Sequence, residues 1–198
     1  MMKIVLATRN RGKIEEIKEL LKGCGFEMLT LDDFPGLALP PEDMRDFKGN
    51  ALKKARSVAS KTGIPSLADD SGLCVDALQG GPGVHSARYA GKGATDSDNY
   101  EKLLKELKNI PPGQRTARFV CVAALATPGG REKTFDGSLE GVIGNEPRGE
   151  YGFGYDPVFI VPGPGKTLAE LSPEEKNMVS HRAKALGRLK DWLKKQMP

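Results

Sequence analysis

The chain has 198 residues, 38% of them hydrophobic, enough for one domain, in one or two lobes, with a substantial core. Lys and Arg number 30 against 26 acidic residues, a mild excess of +4 interleaved with acid, which suits a small anionic ligand as well as nucleic acid. No apolar stretch approaches a membrane span, the opening run is too short for a signal peptide, and Cys24, Cys74 and Cys121 show no CxxC spacing, so a cytoplasmic protein with reduced, buried thiols is expected.

Lys3-Ile4-Val5-Leu6-Ala7 is apolar and β-branched and reads as a short strand. Thr8-Arg9-Asn10-Arg11-Gly12-Lys13 follows, and then Ile14, Ile17, Leu20 and Leu21 recur at helical spacing up to Gly23 and Gly25. A strand, a polar loop and a helix start bring free N–H groups and the positive end of a helix dipole to one place, an attractive seat for phosphate. Thr8 and Asn10 can cap or donate, and Arg9, Arg11 and Lys13 add cationic donors. An ordinary capped helix explains the same pattern, but basic residues are disfavoured in a first turn, which tilts the reading toward an anion. It is not a Walker loop: Ala7 stands where the first glycine belongs, and Ile14 follows the lysine.

Phe26 to Leu31 is a second expected strand, and Asp32 to Asp46 a Pro-rich acidic loop holding Glu42, Asp43 and Asp46. Asn50 to Thr62 is an expected helix, with Leu52, Ala55, Val58 and Ala59 on one face and Lys53, Lys54 and Arg56 on the other. Ile64 to Ala68 then leads into Asp69-Asp70-Ser71-Gly72, after which Leu73, Val75 and Leu78 resume an apolar pattern. A buried strand that ends in acid, turns on Gly72 and re-enters the core is expected. Alternation along an extended chain points Asp69 and Asp70 to opposite sides, one toward a ligand and the other supporting the turn. An Asx-type turn is the plainer alternative.

Gly80-Gly81-Pro82-Gly83 and Tyr89 to Gly93 read as loops, and Thr95 with Asp98 as a capping-box start for a helix carrying Tyr100, Leu103, Leu104 and Leu107. Phe119 to Ala126 and Lys133 to Val142 flank Pro128-Gly129-Gly130 as a hairpin of a mixed sheet. Gly149-Glu150-Tyr151-Gly152-Phe153-Gly154-Tyr155-Asp156-Pro157 interleaves glycines with aromatics ahead of a strand from Val158 to Val161. Such glycines admit close backbone approach and an exposed ring stacks on a base; equally, the rings can pack in the core. Ser172-Pro173-Glu174-Glu175 starts a helix expected to carry Lys176, Asn177, His181 and Arg182 and to continue, from Lys184 to Lys195, as a basic amphipathic stretch with Leu186, Leu189, Trp192 and Leu193. A His-Arg pair on a helix is ordinarily a surface feature, but it can also read a base edge.

Together these are parts for hydrolysing a nucleotide. There is a basic loop for phosphate, carboxylates for a divalent cation and a Gly-aromatic loop for a base. No cysteine lies near a histidine in sequence and there is no G-x-S-x-G elbow, so attack by water at phosphorus is expected, with a carboxylate taking the proton.

The order of the motifs resembles the inosine/xanthosine triphosphate pyrophosphatase family. Thr8 to Lys13 resembles its T/S-x-N-x-x-K loop, Asn50 to Ala55 its N-A-x-x-K-A helix, and Ala68-Asp69-Asp70-Ser71-Gly72-Leu73 its acidic signature. Gly80 to Gly83 with Ser86-Ala87-Arg88-Tyr89, Phe153 to Pro157 and Ser180-His181-Arg182 complete a match from Lys3 to about Leu193. The resemblance implies an elongated, two-lobed α/β fold with a long central mixed β-sheet flanked by helices and an active-site cleft between the lobes. It implies a homodimer that uses magnesium to hydrolyse ITP, dITP and XTP to the monophosphate and pyrophosphate. Carried over, Asp70 is the general base and a metal ligand, and Ser71 contacts substrate. Thr8, Arg9, Asn10, Arg11, Gly12, Lys13 and Lys54 hold the triphosphate, while Phe153, Gly154, Tyr155, Asp156, Lys176, His181 and Arg182 form the nucleoside end.

The second metal ligand matches Glu42 best, with Asp43 the alternative, because Pro41 and Asp43-Met44 flank it where relatives carry a second glutamate and small residues. Arg9 replaces a glycine, which strengthens binding of the triphosphate if it reaches the phosphates. Gly49 stands where many relatives have Glu, an expected loosening of the helix start. Two rivals remain: a septum-inhibitor-type nucleotide pyrophosphatase, whose Ser-Pro-Arg-Arg-like loop Thr8 to Lys13 does not resemble, and a nucleic-acid-binding module built on the basic C-terminal helix.

Overall fold

In the computed structural model, residues 2–163 and 165–196 are described. The apolar opening residues form β1 (Met2–Leu6), whose Ile4, Val5 and Leu6 are fully buried. After the helix α1 (Arg11–Leu20), β2 (Phe26–Leu29) pairs with β1 in parallel, Met2 opposite Phe26. Parallel neighbours need such a crossover, and their burial on both faces explains an unbroken apolar run in β1. The helix α2 (Phe47–Thr62) leads to β3 (Ser66–Val75), which pairs in parallel with the other edge of β1, Val5 opposite Ser66.

The helix α3 (Asp96–Glu106) precedes β4 (Thr116–Ala126) and β5 (Glu132–Ile143). Five residues join these two strands, too few for a parallel crossover, and Thr127 N donates to Arg131 O at 2.9 Å to close the hairpin. The short β6 (Phe159–Ile160) runs antiparallel to β5, and the helices α4 (Pro173–Val179) and α5 (His181–Gln196) end the chain. The result is a mixed six-stranded sheet of order β2-β1-β3-β4-β5-β6 with helices flanking it.

The chain divides into two compact units. The first comprises the residues up to Asp70, Cys121–Gly137 and those from Arg182 on; the second comprises Ser71–Val120 and Ser138–His181. In the first, Ile4, Leu6, Ile17 and Leu67 pack with Ala185, Leu186, Leu189 and Leu193 of α5, and Val5 and Ala68 pack with Ala51, Ala55 and Val58 of α2. The apolar face of the basic C-terminal helix is therefore core. In the second, Leu73, Val75, Leu103, Leu107, Phe119 and Phe159 form the centre.

Several expected boundaries move. The chain does not turn at Gly72: β3 runs ten residues, and the turn follows at Gln79 and Gly80, with φ of 53° and 87°. Past Gly72 the strand is held by a later loop, where Leu73 N donates to Ser86 Oγ and Val75 N to the Gly81 carbonyl, both at 2.9 Å. The helix α2 starts at Phe47, three residues before Asn50, capped by Asp46, which accepts a hydrogen bond from Gly49 N at 2.6 Å. Gly49 does not loosen this start; a Cβ there would meet Met44 Cβ at 2.9 Å. The helix expected through Lys176 to Arg182 breaks at Ser180, whose φ of −63° and ψ of 154° are extended, and α5 begins at His181. Serine favours such boundaries over helix interiors. Of the three thiols only Cys121 is fully buried.

Candidate active site

Asp69 and Asp70 leave β3 in opposite directions, as alternation requires. Asp70 meets α2, where Asn50 and Lys54 are four residues apart and so share a face. Asn50 Nδ2 donates to Asp70 Oδ2 at 3.1 Å, and Lys54 Nζ to Asp70 Oδ1 at 3.0 Å. Lys54 Nζ also donates to Glu42 Oε1 and to the Asp69 carbonyl, both at 2.7 Å. Met44 N donates to Asn50 Oδ1 at 3.0 Å, which ties the Glu42 loop to α2. Of the two loop acids, Glu42 shares a cation with Asp70, whereas Asp43 pairs with Lys53 at 2.5 Å in the solvent.

Asp69 faces another set of cations. Its Oδ2 accepts from Arg182 Nε at 3.2 Å and Nη2 at 3.0 Å, and lies 3.2 Å from Lys13 Nζ. Arg182 Nη1 also pairs with Glu16, one turn along α1 from Lys13. Neighbouring carboxyls thus titrate in opposite directions. Burial raises Asp69, but Lys13, Arg182 and Lys54 outweigh it and hold it well below the usual carboxylate range. Burial raises Asp70 too, and there Lys54 opposes it while the negative Glu42 reinforces it, so its carboxyl ends above the ordinary value. Burial lowers Lys54, yet Asp70, Asp69 and Glu42 reverse that and keep it charged. Burial also pushes the Cys121 thiol, 3.9 Å from Asp69 Oδ2, up to about 12, with Asp69 adding to it.

The loop before α1 is built as the capping pattern implies. Asn10 Oδ1 accepts from Lys13 N at 3.0 Å, and Thr8 Oγ1 accepts from Asn10 N at 3.2 Å. Arg11 is exposed and Gly12 half-buried in the first turn of α1. Arg9 leans on the following loop, with Nη2 donating to the Leu37 carbonyl at 3.0 Å.

In the second unit, Asp156 Oδ2 accepts from Phe153 N at 2.9 Å and from Lys176 Nζ at 2.5 Å, and both charged groups are buried. Lys176 Nζ also lies 4.8 Å from the centre of the Phe153 ring. Gly152 permits this arrangement: its φ is 80°, and a Cβ there would fall 2.2 Å from Asp156 Oδ2. Gly154 N donates to Asp96 Oδ2 at 2.7 Å, and Tyr155 Oη to the Ser86 carbonyl at 2.9 Å. The aromatics divide between the two readings open in the sequence: Tyr155 packs in the core, Phe153 is half-buried and Tyr151 is exposed. His181 is buried and stacks on Phe119, with ring centres 4.7 Å apart and planes at 9°. His181 and Arg182 are thus not the surface pair that helices ordinarily carry. Ser71 sits half-buried on β3.

Asn50, Glu16 and Asp96 belong to these networks and were not singled out as site residues. Helical spacing points to the first two, since Asn50 is four residues from Lys54 and Glu16 three from Lys13. No local signal marks Asp96. Among the described residues, no three His, Cys, Asp or Glu side chains converge as a metal cage. Glu42 and Asp70 gather two carboxylate oxygens on the Lys54 ammonium, an arrangement suited to a cation.

The Ham1 family pattern matches residues 4–192. A protein of Geobacter sulfurreducens named dITP/XTP pyrophosphatase is 55% identical over 98% of this chain and 97% of its own length. One of the same name from Bacillus subtilis is 49% identical over 98% of each chain. The solved structure of a HAM1 protein from Coxiella burnetii superposes with a TM-score of 0.90 at 44% identity, covering 98% of this chain and all of that one. With near-complete coverage by sequence and by fold, the chain belongs to the Ham1 family.

Proposed function

We propose that this chain is a nucleoside-triphosphate pyrophosphatase that hydrolyses the aberrant purine nucleotides dITP, ITP and XTP to monophosphate and pyrophosphate, keeping them out of DNA and RNA. The observation that carries this reading is the convergence of Glu42 and Asp70 on Lys54, with Lys13 held by the adjoining Asp69. Asp70 takes the proton from the attacking water, the role of a carboxylate placed beside the phosphate-binding cations. Glu42 and Asp70 hold magnesium, which supplies charge neutralisation at the phosphates and commonly binds through one or two carboxylates plus substrate oxygens. Thr8, Arg9, Asn10, Arg11, Gly12, Lys13 and Lys54 receive the triphosphate, and Ser71 contacts substrate.

Phe153, Gly154, Tyr155, Asp156, Lys176, His181 and Arg182 serve the nucleoside. Hypoxanthine and xanthine present an acceptor oxygen where adenine presents a donor, so a donor that the protein aims at that position would face another donor in adenine. Each such loss costs about 1–3 kcal/mol. The enzyme works in the cytoplasm as a homodimer. The test is a panel of nucleoside triphosphates with magnesium, assayed separately for pyrophosphate and orthophosphate. Pyrophosphate from dITP and XTP far above that from dATP is expected; orthophosphate alone would make the protein a phosphatase.

A further inference from the structure

An ammonium has three N–H groups, and Lys54 engages all three inside the protein, with Glu42, Asp70 and the Asp69 carbonyl. At 5% exposure it has little access to water as an alternative. In this arrangement Lys54 has nothing left to offer a phosphate, and it sits on one oxygen of each of the two carboxylates that would hold a divalent cation. Two cations contending for the same pair of oxygens repel strongly in a partly desolvated site. A lysine on its flexible four-carbon stem can yield where a rigid side chain cannot.

We propose that Lys54 is a resident stand-in for the metal. It holds Glu42 and Asp70 together in the nucleotide-free protein and releases both to an entering divalent cation. It keeps its bond to the Asp69 carbonyl and turns the two freed N–H groups to substrate phosphate. The inference rests on Glu42 and Asp70 being the metal ligands. It makes metal binding weak without nucleotide and couples it positively to triphosphate binding, because phosphate gives Lys54 the partner that the metal takes away.

The full chain, free of nucleotide, is titrated with Mn2+, the free ion being read by electron paramagnetic resonance. Lys54→Met is expected to bind Mn2+ at least tenfold tighter than the wild type, and adding Glu42→Gln is expected to remove the gain. In the wild type, Mn2+ is expected to raise acetylation of Lys54 by acetic anhydride several-fold, read by peptide mass spectrometry, with exposed Lys133 unchanged. Equal or weaker Mn2+ binding by Lys54→Met overturns the inference. Should that variant fail to fold, wild-type Lys54 labelling that ignores Mn2+ overturns it instead. Pyrophosphate release from dITP by the wild type separates the two readings: if it persists while the exchange fails, only the exchange is lost.

Discussion

The two units handle charge differently. In the first, every central charge is shared: Lys54 spans Glu42 and Asp70, Asp69 takes both Arg182 and Lys13, and Arg182 reaches on to Glu16. In the second, Asp156 and Lys176 form a buried pair, and the surrounding loop is held by backbone amides and rings. A shared network can redistribute when a new cation or anion arrives, because Lys54, Asp69 and Arg182 each bridge more than one partner. A buried pair set in a loop of backbone amides and rings is instead costly to disturb, since removing one charge leaves the other in a desolvated place. The first unit is suited to charge that changes during a reaction, and the second to holding a fixed shape.

Breaking each region should therefore look different. Asp70→Asn keeps the shape and removes the charge, so turnover should fall by about 10³-fold or more with unchanged circular dichroism. A near-normal rate would take the general base elsewhere. Asp156→Ala removes the carboxylate that meets the buried Lys176 ammonium and Phe153 N, and should lower stability by about 3–5 kcal/mol, read by denaturant unfolding. A loss below 1 kcal/mol would mean that the pair is solvated and the contrast between the units false. Arg182→Lys keeps the charge but loses the planar fork, so the dITP-over-dATP ratio of kcat/KM should narrow by about tenfold; an unchanged ratio would move base selection to main-chain groups. Tyr155→Phe removes one hydrogen bond, to the Ser86 carbonyl, and should cost only about 1 kcal/mol.

Much of this was readable in the residues, and the failures share a cause. The capping Asn10, the opposed Asp69 and Asp70 and the Ser172 helix start follow from local rules and stand in the structure. Gly72 misled because the groups that hold the strand past it, the Ser86 hydroxyl and the Gly81 carbonyl, lie further along the chain. The burial of His181 and Arg182 was hidden because their partners, Phe119, Asp69 and Glu16, are distant in the chain. The resemblance favours Glu42 with Asp43 as the alternative; in the structure the two acids meet different lysines, Lys54 and Lys53, on different faces of α2.

The central claim is that Asp70 drives water onto the α-phosphorus. Hydrolysis of dITP in ¹⁸O-labelled water, with products read by mass spectrometry, tests it most directly. The label should appear in the monophosphate and not in pyrophosphate; label in the pyrophosphate would place the attack at the β-phosphorus and contradict the account.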